Sequence, residues 1–150
     1  MRGLMSELLG GAGAALDLED AMRGDVGVEP VPIVLPYPVS TNRYWRSFRN
    51  RMVRSKEADE YKRTAAHAAF VAGWKSLAGP VKVVICMHPK ATKAGVASKT
   101  RMDLDNCIKV TLDALNGVAY ADDSQVVRLE AEIGGPMSGG GLVVTVEPQR

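Results

Sequence analysis

The chain has 150 residues, 46% of them apolar and 24% charged, values that suit one soluble globular domain with a single core. No apolar stretch approaches the ~20 residues of a membrane helix, which excludes a helical membrane span. Cys86 and Cys107 are the only cysteines, so a disulfide framework is excluded and a reducing cytoplasm is the expected setting. The net charge of +2 conceals an asymmetry. Residues 1–30 carry two basic and six acidic side chains, a balance of −4, whereas residues 43–109 carry fifteen basic and five acidic, a balance of +10. A middle this basic suits a polyanionic partner, nucleic acid first.

In chain order, residues 1–30 read as a flexible acidic tail. Leu4 to Leu9 have the makings of a helical turn or two, but "GGAGAA" weakens it. Glu7 breaks the apolar run and acids follow, so a secretory leader is not expected. The ordered domain then spans 31–150. Val31, Ile33 and Leu35 alternate as a short strand, which Pro32, Pro36 and Pro38 confine to an edge. In "TNRYWRSFRNRMVRS", Arg49-Asn50 turns a small basic ribbon or a loop. Ser55 is the expected N-cap of a helix to about Trp74, with Glu57 and Glu60 at its positive end. Ala58, Tyr61, Ala65, Ala69 and Val71 or Ala72 lie near one face. "VKVVICMH" is the strongest strand, rich in β-branched residues. A long loop without acids follows, "PKATKAGVASKTRM". A helix over 105–116 ends at Asn116-Gly117. "AYADDSQ" is a turn, "VVRLEAEI" and "LVVTVE" are strands, and "GGPMSGGG" between them reads as a flexible hairpin connection. The order is β-α-β-α-β-β with two main helices. The fold class is α/β (α+β), a small single domain with a mixed sheet.

The candidate chemistry lies in "RMDLDNCIKVTLDAL". Ile108, Leu112 and Leu115 form an apolar stripe on the helix, and Asp105, Lys109, Asp113 and Asn116 form a polar one. Asp103 sits just before it in extended chain, where residues two apart point the same way, so Asp103 and Asp105 can converge. Crowded carboxylates repel, and a cap, a salt bridge or a metal ion offsets that. One account makes Asp105 an N-cap and Asp105–Lys109–Asp113 an i,i+4 ladder, each pair worth only ~0.2–0.5 kcal/mol. The other brings in the second acid pair, Asp122-Asp123, at the entrance to a strand. Hard divalent cations take carboxylates, water and phosphate oxygens, which would suit metal-assisted phosphodiester hydrolysis. Lys109 would then stabilise charge on phosphate oxygens. Asp is also common in plain turns.

Three segments, "LPYPVSTNRYWR", "RMDLDNCIKVTLDALNG" and "YADDSQV", resemble the RusA family of Holliday-junction resolvases, small crossover junction endodeoxyribonucleases typical of bacteria and their prophages. They occur in the family's order and cover most of residues 33–150. The resemblance implies that Asp103, Asp105 and Asp123 are the acidic catalytic residues and bind Mg²⁺, with Mn²⁺ a possible substitute, and that Lys109 is also required. It implies a homodimer acting on four-way junction DNA in recombination and repair, since a junction has approximate two-fold symmetry and two sites can nick opposing strands. Asn42, Arg43, Arg46, Arg49, Arg51, Arg54, Lys90, Lys93, Lys99 and Arg101 are the expected DNA contacts. Tyr44, Trp45 and Phe48 are core anchors or groups that stack near the junction centre, with Trp45 read as core. The acidic stretch 1–30 departs from the family, whose members usually begin close to the first strand.

Other constellations are weaker. Cys86-x-His88 with Cys107 and His67 lacks the paired spacings of structural zinc sites. "GGPMSGGG" has no following lysine and helix to make a phosphate loop, and no small-molecule cofactor is expected. Two rival functions stand beside the nuclease. One is a phosphotransferase with the first Asp of D-x-D as nucleophile, although a basic loop precedes it here. The other is a non-catalytic junction- or DNA-binding protein.

Overall fold

The computed structural model describes residues 30–149, so the tail expected over 1–30 lies outside the described residues except for Pro30. The elements are β1 (Ile33–Leu35), α1 (Thr41–Tyr44), β2 (Trp45–Phe48), β3 (Arg51–Arg54), α2 (Lys56–Val71), β4 (Val81–His88), α3 (Leu104–Leu115), a 3-10 turn (Asp123–Gln125), β5 (Val126–Ile133) and β6 (Gly141–Pro148). The expected mixed α+β order holds, with α1 and the β2–β3 ribbon inserted between β1 and α2.

The main sheet has the order β1-β6-β4-β5. β4 lies between antiparallel β6 and parallel β5. Its alternation decides the layers. Val81, Val83, Ile85 and Met87 are completely buried, while the residues between them are half-buried on the other face. Full burial of such side chains contributes about 1.5–3 kcal/mol each. The β4–β5 pair is parallel, so it needs a crossover, and the long loop with α3 supplies it.

The connection over 134–140 is not the expected hairpin. β5 and β6 flank β4 on opposite sides, so their link must cross the end of β4. It is also held: Gly134 N–H donates to the Met87 carbonyl at 2.8 Å, and Met137 N–H to the Pro89 carbonyl at 2.9 Å.

Helices α2 and α3 pack against each other and cover the core. On α2, Ala58, Tyr61, Ala65 and Ala69 are buried as expected, and three alanines permit close approach. Val71 is exposed and Ala72 half-buried. On α3 the buried face is Cys107, Val110, Thr111, Ala114 and Leu115, whereas Ile108 and Leu112 are only half-buried. The apolar stripe therefore turns by about one residue from the expected one. Three of the five buried side chains, Cys107, Thr111 and Ala114, are small, and the larger Ile108 and Leu112 lie at the margin. Thr111 stays satisfied by donating to the Cys107 carbonyl at 2.7 Å. Burial pushes the Cys107 thiol up to about 11, as a core group. Cys86 lies on the opposite sheet face, and no group of His, Cys, Asp or Glu among the described residues is placed to bind zinc.

The ribbon pairs Trp45 with Arg54 and Phe48 with Arg51. Its turn is Arg49 (φ 50°) and Asn50 (φ 62°), the two left-handed residues that a type I′ hairpin demands. Ser55 closes its base. The Ser55 hydroxyl donates to the Arg43 carbonyl at 2.6 Å and accepts from Ala58 N–H at 3.1 Å, capping α2 as expected. Ser55 N–H donates to the Tyr44 carbonyl at 2.8 Å.

Tyr44 is completely buried and donates its hydroxyl to the Asp113 carboxylate on α3. Arg54 lies 3.7 Å from the same carboxylate. Lys62 of α2 donates to the Asp113 carbonyl at 2.8 Å and to the Asn116 carbonyl, satisfying the open end of α3. Burial, then Asp113, pushes the Tyr44 hydroxyl up. The expected Asp105–Lys109–Asp113 ladder does not form, because Asp113 faces Tyr44 and Arg54 instead.

Tyr44→Phe should destabilise the domain by about 1–3 kcal/mol, since it removes the donor to a carboxylate of low exposure. Urea unfolding of the variant beside the wild type measures this; an unchanged midpoint would remove Tyr44 from the framework.

Candidate nuclease site

Asp103 occupies the N-cap of α3 in extended conformation, with φ −67° and ψ 145°. Its carbonyl accepts from Cys107 N–H at 3.1 Å, but its carboxylate makes no capping bond. Asp105 is therefore not the cap; it stands inside the first turn. Both are exposed. The positive end of the helix dipole offsets part of their mutual repulsion. Lys109 is exposed one turn on. Among the described residues, none of Asp103, Asp105 and Lys109 has an ion-pair partner.

Distant groups fix the backbone at this point. Met102 N–H donates to the Tyr37 hydroxyl at 2.7 Å, immediately before Asp103. Lys90 Nζ lies 5.0 Å from the centre of the Tyr37 ring. Gly140 sits against the same ring at φ +72°, and a Cβ there would come within 2.5 Å of Tyr37 Cδ1. Sequence reasoning saw Tyr37 only as part of a segment. The long loop is itself organised: Thr92 N–H donates to the Val96 carbonyl at 2.8 Å and Ser98 N–H to the Lys90 carbonyl at 2.9 Å. Lys90, Lys93, Lys99 and Arg101 are all exposed on it.

The second acid pair divides its labour. Asp122 caps the 3-10 turn by accepting from Ser124 N–H at 3.0 Å, and the bonds from Ser124 hold its carboxyl below the usual range. Gln125 locks the turn. Its Oε1 accepts from the N–H groups of Ala121 (2.9 Å) and Asp122 (3.1 Å), and its Nε2 donates to the carbonyls of Leu77 and Gly79, each at 2.8 Å. No sequence reading found this role; the only signal was Gln three residues after Asp, a capping-box spacing. Asp123 is exposed and has no ion pair among the described residues. The segment leading to it is tied to α3 where the Tyr120 hydroxyl donates to the Leu112 carbonyl at 2.9 Å. Burial, and then the charge of Asp123, pushes that hydroxyl up.

Leu112 is seven residues from Asp105, which is ~10 Å along the helix axis. No three His, Cys, Asp or Glu side chains converge to hold a metal among the described residues. The donor set nevertheless suits a hard cation. Mg²⁺ is commonly held by one or two carboxylates plus water and substrate phosphate, so Asp103 and Asp105 are chemically sufficient for it.

The basic groups separate into two kinds. Arg43 pairs with Glu57, and Arg54 pairs with Asp59 at 3.2 Å besides approaching Asp113, so both brace the ribbon base. Asn42, Arg46, Arg49 and Arg51 are exposed. Among the described residues those three arginines have no ion pair. Trp45 is half-buried against the core and meets Tyr44 edge-on at 5.1 Å.

A small α+β domain with a basic ribbon, a basic loop and uncompensated carboxylates at a helix start is organised as a nuclease. Residues 36–147 match the family described as Endodeoxyribonuclease RusA. The chain is 35% identical over 116 residues to Crossover junction endodeoxyribonuclease RusA of Escherichia coli (strain K12), covering 76% of this chain and 91% of that protein. Similarity to the Enterobacteria phage 82 protein of the same name is also 35%, over 118 residues with the same coverage. The Shigella sonnei (strain Ss046) protein gives 35% over 119 residues, again covering 76% and 91%. The chain belongs to the RusA family of endodeoxyribonucleases.

Gln125→Ala should release the turn that carries Asp123. Hydrogen exchange is expected to show lost protection confined to about residues 121–125, with the α3 amides unchanged. Protection retained in the turn would mean that Asp122 alone holds it.

Proposed function

We propose that this chain resolves four-way DNA junctions by paired Mg²⁺-dependent nicks, with Asp103, Asp105, Asp123 and Lys109 as its catalytic groups. One observation carries the reading: the acids of this region are sharply partitioned. Asp113 and Asp122 are occupied in building the fold, whereas Asp103, Asp105 and Asp123 are exposed and unpaired among the described residues. Exposed carboxylates that no protein cation pairs are free to take a cation from solution. The crossover junction names of the relatives support the substrate.

In this reading Asp103, Asp105 and Asp123 are the metal-binding acids, with Asp103 and Asp105 the pair at one helix start and Mn²⁺ a possible substitute. When bound, the ion would polarise the scissile phosphate and make hydroxide available from water. Asp103 and Asp105 position it from the rigid first turn of α3. Lys109, one turn along, stabilises charge on phosphate oxygens. Asn42, Arg46, Arg49 and Arg51 on the ribbon side and Lys90, Lys93, Lys99 and Arg101 on the loop meet the DNA backbone, with Arg43 and Arg54 contributing field from the base.

The reading includes a homodimer, for which the outer edge of β5 offers support. No strand among the described residues pairs with it, and Leu129 and Ile133 stay 37% and 38% exposed on one face, with Val127 61% exposed at the irregularity beside Val126. Long apolar edges invite pairing. Antiparallel pairing of β5 with a second copy would set these apolar side chains opposite one another. On the other face the sequence Arg128, Glu130, Glu132 alternates, so a self-complementary register puts Arg128 opposite a glutamate of the second copy twice.

Incubation with a synthetic four-way junction and Mg²⁺, beside linear duplex, is the direct test; symmetric nicks in the junction alone are expected. Asp103→Asn, Asp105→Asn and Asp123→Asn should lower cleavage by orders of magnitude, while metal-free junction binding holds or tightens as repulsion falls. Asp122→Asn is the control, because Asn caps as well as Asp. Equal loss in Asp122→Asn and Asp123→Asn would sink the assignment.

Leu129→Glu should shift the protein from dimer to monomer in sedimentation at micromolar concentration. A wild type that sediments only as a monomer, with and without junction DNA, would reject the homodimer.

A further inference from the structure

The ribbon carries an aromatic side chain that the fold does not use. Of the three aromatics in "YWRSF", Tyr44 is completely buried and Trp45 lies against the core, but Phe48 is 45% exposed beside the hairpin turn. Its neighbours are cations. The Arg46 guanidinium lies 5.4 Å and that of Arg49 5.2 Å from the ring centre, and Arg51 is its cross-strand partner. No acid occurs between Arg43 and Lys56. A second arginine-rich ribbon would be repelled by such a tip. An occupant must be anionic and must offer a flat apolar face, which is the chemistry of a nucleobase on its phosphate chain.

We propose that Phe48 stacks on an exposed base at the branch point of the junction, and so discriminates branched DNA from linear duplex. This rests on the reading of the chain as a junction nuclease and names the contact that selects the substrate. In linear duplex every base face is already stacked, and wedging a side chain between two pairs costs a few kcal/mol per step. At a branch point the terminal pairs of the arms can present a face without that cost. The arginines around the ring then reach the flanking phosphates, which is sequence-independent attraction. The left-handed turn at Arg49-Asn50 holds the two strands in tight register behind the ring. The ring thereby adds shape selectivity to a contact that charge alone would give to any duplex.

The experiment uses the full chain without metal, a four-way junction carrying 2-aminopurine at the branch point, and a linear duplex carrying it internally. Phe48→Ala is expected to weaken junction binding roughly five- to a hundred-fold, the range for losing one aromatic–base stack. Duplex affinity and the salt dependence of both should hold, since the phosphate contacts are intact. The wild type should change the branch-point fluorescence and the variant should not. Phe48→Trp should restore both, while Phe48→Leu, which keeps bulk without a ring, should match Ala. Parallel loss of junction and duplex affinity in Phe48→Ala, or full junction affinity in Phe48→Leu, overturns the proposal. A wild type that neither prefers nor cuts junctions overturns the nuclease reading and this contact together. A wild type that prefers junctions here and cuts them once Mg²⁺ is added, with Phe48→Ala its equal in binding, overturns only the contact.

Discussion

The arrangement depends on one polar contact at the margin of the core: the Tyr44 hydroxyl on the Asp113 carboxylate. It joins the base of the basic ribbon to the helix that starts with Asp103 and Asp105. Four chain segments meet there. Tyr44 brings α1, Arg54 the return strand of the ribbon, Asp113 the last turn of α3, and Lys62 the middle of α2. A donor or acceptor left unpaired in such a place costs about 1–3 kcal/mol, so the hub tolerates little freedom among its members. The ribbon therefore leaves the domain at a fixed angle to α3, and charged groups at its tip are registered against groups on the helix.

That hub also explains how one helix serves both structure and function. α3 has acids near both ends. Near the C-terminal end the dipole disfavours negative charge, and Asp113 is matched by Tyr44, Arg54 and the nearby Lys62 ammonium. Near the N-terminal end the dipole favours negative charge, and Asp103 and Asp105 have no protein cation among the described residues. Opposite ends of a single dipole thus permit opposite treatments of the same side chain. The 3-10 turn repeats the division on a smaller scale, with Asp122 absorbed by its cap and Asp123 left open.

Much of this was legible in the sequence where the determinants were local. β4 announced itself through β-branched residues, α2 through its Ser55 cap and alanine spacing, and the ribbon turn through Arg49-Asn50. The family was legible too, through the motif acids and Lys109 as residue types at recognisable spacing. What could not be read was set by partners far away in the chain. Tyr37 acts on Met102, 65 residues on, and Gln125 acts on Leu77, 48 residues back. Hydrogen bonds of that span leave no periodicity. The same holds for Asp113, whose spacing from Lys109 suggested a ladder until a buried tyrosine proved the better partner. The apolar stripe of α3 was misplaced by a residue because Cys107, Thr111 and Ala114 are weakly hydrophobic yet small. Against α2, fit outweighed hydrophobicity. The "GGPMSGGG" segment looked like a hairpin because neighbouring strands usually pair; here β4 already stood between them.

The exposed carboxylates also constrain how basic the rest of the surface can be. Arg101 is close in sequence to Asp103 and would neutralise it cheaply, yet its guanidinium donates instead to the Met102 carbonyl at 3.3 Å. Lys109 is one turn from Asp105 and does not pair with it. A protein cation bound to either acid would compete with any metal and remove the negative potential on which metal binding depends. The ribbon cations stand on a hairpin braced by Arg43–Glu57 and Arg54–Asp59 and the loop cations on a segment anchored at Tyr37, and among the described residues none of them pairs with Asp103 or Asp105. DNA drawn in by the ribbon and loop would bring its phosphate towards the acids, where repulsion must be offset at the moment of contact. In the reading proposed above, an ion carried between carboxylates and phosphate would meet that demand, and the missing protein counter-charge at Asp103 and Asp105 would leave room for it.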